Sequence, residues 1–193
     1  VATQDETNMK RFLSMHTMSL ALAALALTVA TSSAEAQRPK IGISGGVSVP
    51  NGDLADGTKT GYNVNLGVEF KPPVFPLGIR VEGLLNQLSG EEIDFGGESF
   101  AIPDLRVLGG TANVVYQFPG IAVKPYLIGG VGMYNSKLKG ADEGSTDFGI
   151  NGGVGLKFSL GAIETYAEAR MHNIFGEGDG SARIIPISFG ILF

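Results

Sequence analysis

From residue 40 onward the chain alternates apolar and polar side chains with a period of two. This is the spacing of a half-buried β-strand, whose successive side chains point to opposite faces. The alternation falls into eight segments, near 40–50, 61–70, 78–88, 105–117, 125–135, 147–158, 163–174 and 184–193. In the first, Ile41, Ile43, Val47 and Val49 oppose Lys40, Gly42, Ser44, Gly46 and Ser48. In the second, Tyr62, Val64, Leu66, Val68 and Phe70 oppose Asn63, Asn65 and Glu69. The third sets Ile79, Val81 and Leu85 against Arg80, Glu82 and Asn86, and the fourth sets Leu108, Ala112, Val114 and Tyr116 against Thr111, Asn113 and Gln117. The sixth has Phe148, Ile150, Val154, Leu156 and Phe158 against Asp147, Asn151 and Lys157. The seventh has Ile163, Ala167, Ala169 and Met171 against Glu164, Tyr166, Glu168, Arg170 and His172, and the eighth carries Ile185, Ile187, Phe189, Ile191 and Phe193 on one face. The fifth is apolar on both faces, Leu127, Val131 and Met133 against Tyr126, Ile128 and Tyr134, so alternation alone does not orient it.

The connections expected after odd segments (51–60, 89–104, 136–146, 175–183) are longer and acidic. Those after even segments (71–77, 118–124, 159–162) are shorter and carry the turn formers Pro or Gly, as tight turns need. Segments of about ten residues, with short turns at one end and longer loops at the other, are the signature of a transmembrane barrel. An even strand number leaves both termini at the short-turn, periplasmic end.

Two features set the apolar face outward, where a lipocalin-like soluble barrel would set it inward. The polar face carries both signs of charge within single segments, Arg80 with Glu82 and Glu168 with Arg170. A closed interior must pair such groups. Arg80, Glu82, Glu168, Arg170 and His172 are therefore expected to form a polar network in the lumen. Aromatics on the apolar face gather at segment ends: Phe70, Tyr116, Phe158 and Phe193 at one level, Tyr62 and Phe148 at the other. Two such levels are the girdles of a membrane barrel. With eight strands the lumen is filled by side chains, which argues against a general diffusion pore.

Composition agrees. Charged residues are 17% of the chain and Gly is 29 of 193, roughly twice the average usage of about 7%. Net charge is −5 with no basic stripe, which argues against nucleic acid as a partner. Cys is absent and only His16 and His172 are present, so disulfides are excluded and a zinc site is not expected.

The N-terminus reads as an export signal. Lys10 and Arg11 precede an apolar run from Leu20 to Ala30, and Ala34-Glu35-Ala36 is a small-x-small cleavage pattern. Cleavage after Ala36 gives a signal peptide over 9–36 and a barrel over 37–193. Residues 1–8 are polar and acidic, and read as an over-extended start ahead of Met9.

The chain ends Ser188-Phe189-Gly190-Ile191-Leu192-Phe193. With Pro125-Tyr126-Leu127-Ile128-Gly129-Gly130-Val131-Gly132 and Ala167-Glu168-Ala169-Arg170, this resembles the small outer-membrane barrels of the OmpA/OmpX and opacity-protein type, over about 37–193. The resemblance implies an all-β, eight-stranded, antiparallel, up-and-down transmembrane barrel in the bacterial outer membrane. It also implies that Ser188, Gly190 and Phe193 form an assembly signal read by the barrel-assembly machinery. Larger relatives continue into a peptidoglycan-binding domain.

Candidate chemistry is sparse. Gly42-Ile43-Ser44-Gly45-Gly46 matches G-x-S-x-G, but a nucleophile elbow needs a strand-turn-helix and no helix follows. His172 could serve a lipid A deacylase or acyltransferase, yet position 174 is Ile174 where a deacylase-like motif wants Ser, and parity turns His172 to the lumen. Asp142-Glu143-Gly144, Glu177-Gly178-Asp179-Gly180 and the acids of 89–104 (Glu91, Glu92, Asp94, Glu98, Asp104) supply no full calcium set. Lys137, Lys139 and Arg183 are better placed to touch lipopolysaccharide phosphates. The expectation is a non-enzymatic barrel without cofactor or metal, structural or surface-interacting through acidic loops, with outer-membrane lipid as a partner. The alternatives are a lipid A-modifying enzyme and a small pore.

Overall fold

A computed structural model of the chain describes residues 39–72, 77–95, 98–160, 163–176 and 181–193. Eight long strands close into one barrel: β1 (Lys40–Asn51), β2 (Thr58–Phe70), β3 (Leu77–Gly90), β6 (Leu105–Gln117), β7 (Val123–Leu138), β8 (Ser145–Leu160), β9 (Ile163–Phe175) and β10 (Ser181–Leu192). Two short strands, β4 (Glu92–Phe95) and β5 (Glu98–Ala101), form a separate hairpin between β3 and β6. Each barrel strand pairs antiparallel with its chain neighbours, and β1 closes the ring on β10. Closure leaves no sheet edge in the barrel, so every barrel strand has hydrogen-bonding partners on both sides.

The alternation of the sequence is the inside–outside alternation of this wall. Ile41, Val64, Val81, Val114, Val131, Ile150, Met171 and Ile187 are exposed on the outer surface, while Asn63, Arg80, Asn113, Asn151, Arg170 and Ser188 are buried in the lumen. The fifth segment, β7, is resolved by its neighbours: Leu127, Val131 and Met133 point out, and Tyr126, Ile128 and Tyr134 are buried inside.

The connections depart from the expected lengths, because several strands run farther. β7 continues to Leu138 and β8 begins at Ser145, leaving 139–144 as the loop, and β9 and β10 are joined through 176–180. The first loop is mostly a short 3-10 turn, Gly52–Asp56. Only 91–104 stays long, and its hairpin has no counterpart in the expected strands. The expected signal peptide, with Ala34 and Ala36, lies outside the described residues, as do Glu177 and Asp179.

Candidate functional site: the lumen and the loop end

The lumen is layered. At the end where β1 begins and β10 finishes, Val115, Tyr126, Ile128, Tyr166 and Leu192 pack together. Tyr126 and Tyr166 lie directly across from Gly155 and Gly190 on neighbouring strands. A Cβ at Gly155 would sit 2.2 Å from the Tyr126 ring, and one at Gly190 would sit 2.5 Å from the Tyr166 ring. Only glycine lets these tyrosines lie flat along the inner wall.

Above them is the ionic layer. Arg80 Nη2 bonds Glu69 at 2.7 Å, and its Nη1 reaches Glu168 at 2.8 Å and Glu82 at 3.7 Å. Arg170 Nη1 bonds Glu82 at 2.7 Å and also pairs with Glu168, while Lys157 pairs with Glu69. Three cations and three carboxylates thus form one continuous chain, and all six residues are buried. The Arg80 guanidinium also lies over Tyr126 and Tyr166, 5.5 and 5.1 Å from the ring centroids, and Tyr126 donates its hydroxyl to Glu168 at 2.7 Å. Four residues expected in the network, Arg80, Glu82, Glu168 and Arg170, are joined here. Glu69 and Lys157, not singled out from sequence, complete the charge balance; their parity already set them on the lumen face.

His172 faces the lumen but stands apart from the ion pairs. It meets the Tyr134 hydroxyl through Nδ1 at 2.8 Å, with the rings edge-on at 5.6 Å. It is 3% exposed, on the opposite side of the wall from any lipid substrate. Ser44 is likewise an inward residue of β1, accepting a hydrogen bond from Asn65 at 3.0 Å, with strand rather than helix after it. Ser188 donates to Asn63 at 2.7 Å inside the lumen, and Phe193 is exposed beyond the end of β10.

Toward the loop end the interior turns apolar. Leu84, Leu88, Val107, Tyr134, Ile174 and Ile184 form a buried plug, with Leu54 of the 3-10 turn packed against it. These inward apolar residues break the alternation. Their signal in the sequence is the doublet, such as Leu84-Leu85, Val107-Leu108 and Ile184-Ile185, in which one residue serves each face.

Charge divides between the two sides of the wall. Inward positions of the eight strands hold Lys40, Arg80, Lys124, Lys157 and Arg170 against Glu69, Glu82, Asp147, Glu164 and Glu168. Outward charged positions are Lys59, Arg106, Lys137 and Arg183, all at the loop end. Just above β6, Asp104 accepts hydrogen bonds from the Gly90 backbone N–H at 3.2 Å and from Lys139 at 3.4 Å. These donors hold its carboxyl below the usual range. Among the described residues, no three His, Asp or Glu side chains converge as metal ligands.

Aromatics ring the outside at two levels. Tyr116 and Phe118 meet edge-on at 4.9 Å near the terminal end, and Phe148 stacks with Phe175 at 6.3 Å near the loop end. Such girdles mark the two interfaces of a bilayer, and the aliphatic band between them meets its hydrocarbon.

Known structures share the fold. The barrel resembles neisserial surface protein A at 15% identity with a TM-score of 0.60, covering 82% of this chain and 98% of that one. It also resembles a major outer membrane protein from Thermus thermophilus at 12% identity and a TM-score of 0.53, covering 80% of this chain and 98% of that one. No curated protein sequence matches the chain. The model of the outer membrane protein beta-barrel domain matches residues 19–193, so the chain belongs to that family and its place is the bacterial outer membrane.

Proposed function

We propose that this protein is a closed, non-conducting and non-enzymatic barrel that works through its outer surface and its loops. The observation that carries this reading is the lumen, filled in turn by tyrosines over glycines, a neutral six-residue ionic chain and an apolar plug. An ion entering from the loop end must pass the buried apolar side chains of Leu84, Leu88 and Ile184, and dehydration in such a layer is costly. A catalytic reading requires a nucleophile and base facing lipid, whereas His172 and Ser44 both face inward. The loops carry exposed acids, among them Asp53, Asp56, Asp142 and Glu143, suited to a cationic partner surface.

Planar-bilayer recording tests the reading. The expected result is an electrically silent membrane after insertion of folded protein. Large, steady, porin-like steps would overturn it.

A further inference from the structure

The outward charges at the loop end point to a lipid ligand. We infer that this rim is a phosphate-binding collar, and that a cleft between β3, β6 and β7 seats the phosphorylated headgroup of an outer-leaflet glycolipid. The inference rests on the membrane placement and gives the proposed surface role a partner.

Register sets the geometry. Tyr62, Gln87, Arg106 and Lys137 are successive cross-strand partners on the outer wall. One pleat repeat below them, about 7 Å along the strands, the wall is aliphatic on β2, β3 and β6 with Val64, Leu85 and Leu108, while β7 places Asn135 in that row. Tyr62 in the upper row marks headgroup depth, where an amphipathic ring sits. Arg106 and Lys137 therefore lie at the level of lipid phosphates, side by side on paired strands. Like charges placed directly opposite repel, and an anion bridging them removes that cost.

The cleft itself, about 600 Å³, is lined by these residues together with Asp104 and Lys139. Asp104 is occupied by Lys139 and the Gly90 backbone, while Lys137 donates to the Asp142 carbonyl, a neutral partner. Charge asymmetry supplies an independent reason. The lumen strands balance five cations with five acids, whereas the outward strand positions carry four cations and, among the described residues, no acid. All four lie at the loop end, so the collar favours one leaflet. Arginine grips phosphate oxygens through its planar fork, and lysine adds a mobile point charge.

Native mass spectrometry of the folded protein in micelles, titrated with bisphosphorylated lipid A, tests this. Folding is checked for each variant by the electrophoretic mobility shift of heated against unheated protein. Wild type should retain lipid A. The Arg106→Gln/Lys137→Gln pair should weaken apparent affinity about tenfold, since each cation near an anionic surface contributes appreciably. The charge-preserving pair Arg106→Lys/Lys137→Arg should bind as wild type, and Lys71→Gln, beside a turn at the opposite end, should change nothing. Dephosphorylated lipid A should bind at least tenfold more weakly, and millimolar inorganic phosphate should not displace the lipid. Unchanged binding by the Gln pair, or equal binding of the dephosphorylated lipid, overturns the collar; displacement by phosphate overturns the lipid in favour of a free-anion site. Conductance of the same samples keeps the two readings separate. A conducting barrel that holds lipid A refutes only the non-conducting role, and a silent barrel that ignores lipid A refutes only the collar.

Discussion

Arg80 is the hub of the lumen, and its replacement by Met is the sharpest test of the ionic layer. The guanidinium is 2% exposed and touches three carboxylates. Removing one partner of a buried ion pair costs about 3–5 kcal/mol, because the remaining charge is stranded in a low dielectric. Here Glu69 keeps Lys157 and Glu168 keeps Arg170, so each acid retains a cation and the lower end applies, about 3 kcal/mol. That is more than a hundredfold in the folding equilibrium. The lumen of Arg80→Met is left with three carboxylates and two cations. Adding Glu168→Gln restores neutrality, with Lys157–Glu69 and Arg170–Glu82 as the surviving pairs. The double variant should therefore lose less than the sum of the two single losses, by about 1 kcal/mol or more. The chain has no Trp. Urea unfolding in thin lipid vesicles is best followed by far-ultraviolet circular dichroism and by electrophoretic mobility. A loss under about 0.5 kcal/mol for Arg80→Met, or strict additivity in the double variant, would show that water rather than its neighbours satisfies Arg80.

Three further outcomes are expected. Val154, exposed on the outer wall, should tolerate Arg poorly, at about 2–4 kcal/mol near the bilayer midplane, while inward Asn151→Ser costs under about 1 kcal/mol; vesicle refolding measures both, and equal effects refute the facing. Gly190→Ala should cost about 1–3 kcal/mol in refolding without any assembly machinery, because its Cβ collides with the Tyr166 ring and Ser44. Unchanged stability in that assay would refute the packing reason and leave Gly190 to the assembly signal. Asp104, held below the ordinary carboxylate range first by the Gly90 N–H and then by Lys139, should titrate below a free aspartate by carboxyl-detected magnetic resonance. Its tie to the 139–140 turn stabilises the fold above the unfolded value and is lost as pH falls through the folded one; a midpoint at or above that of a free aspartate contradicts the contact.

The period-two pattern determined most of this molecule, because a membrane wall has only two sides and each strand residue must choose one. Facing, strand number and antiparallel order follow from that choice. So does the placement of Arg80, Glu82, Glu168, Arg170 and His172 in the lumen. What alternation could not supply is anything set by relations across strands. β7, apolar on both faces, took its facing from β6 and β8, whose registers place Tyr126 and Tyr134 inside. Glu69 and Lys157 are 88 residues apart, and only closure of the barrel brings them together. His172 shares their face, yet packing gives it Tyr134 instead of an acid. Gly190 reads in the sequence as part of an end motif, while the fold also makes it the floor beneath a tyrosine. The outward row of Tyr62, Gln87, Arg106 and Lys137 draws on four separate strands. It becomes one surface only through register, because a strand residue's lateral neighbours belong to other strands.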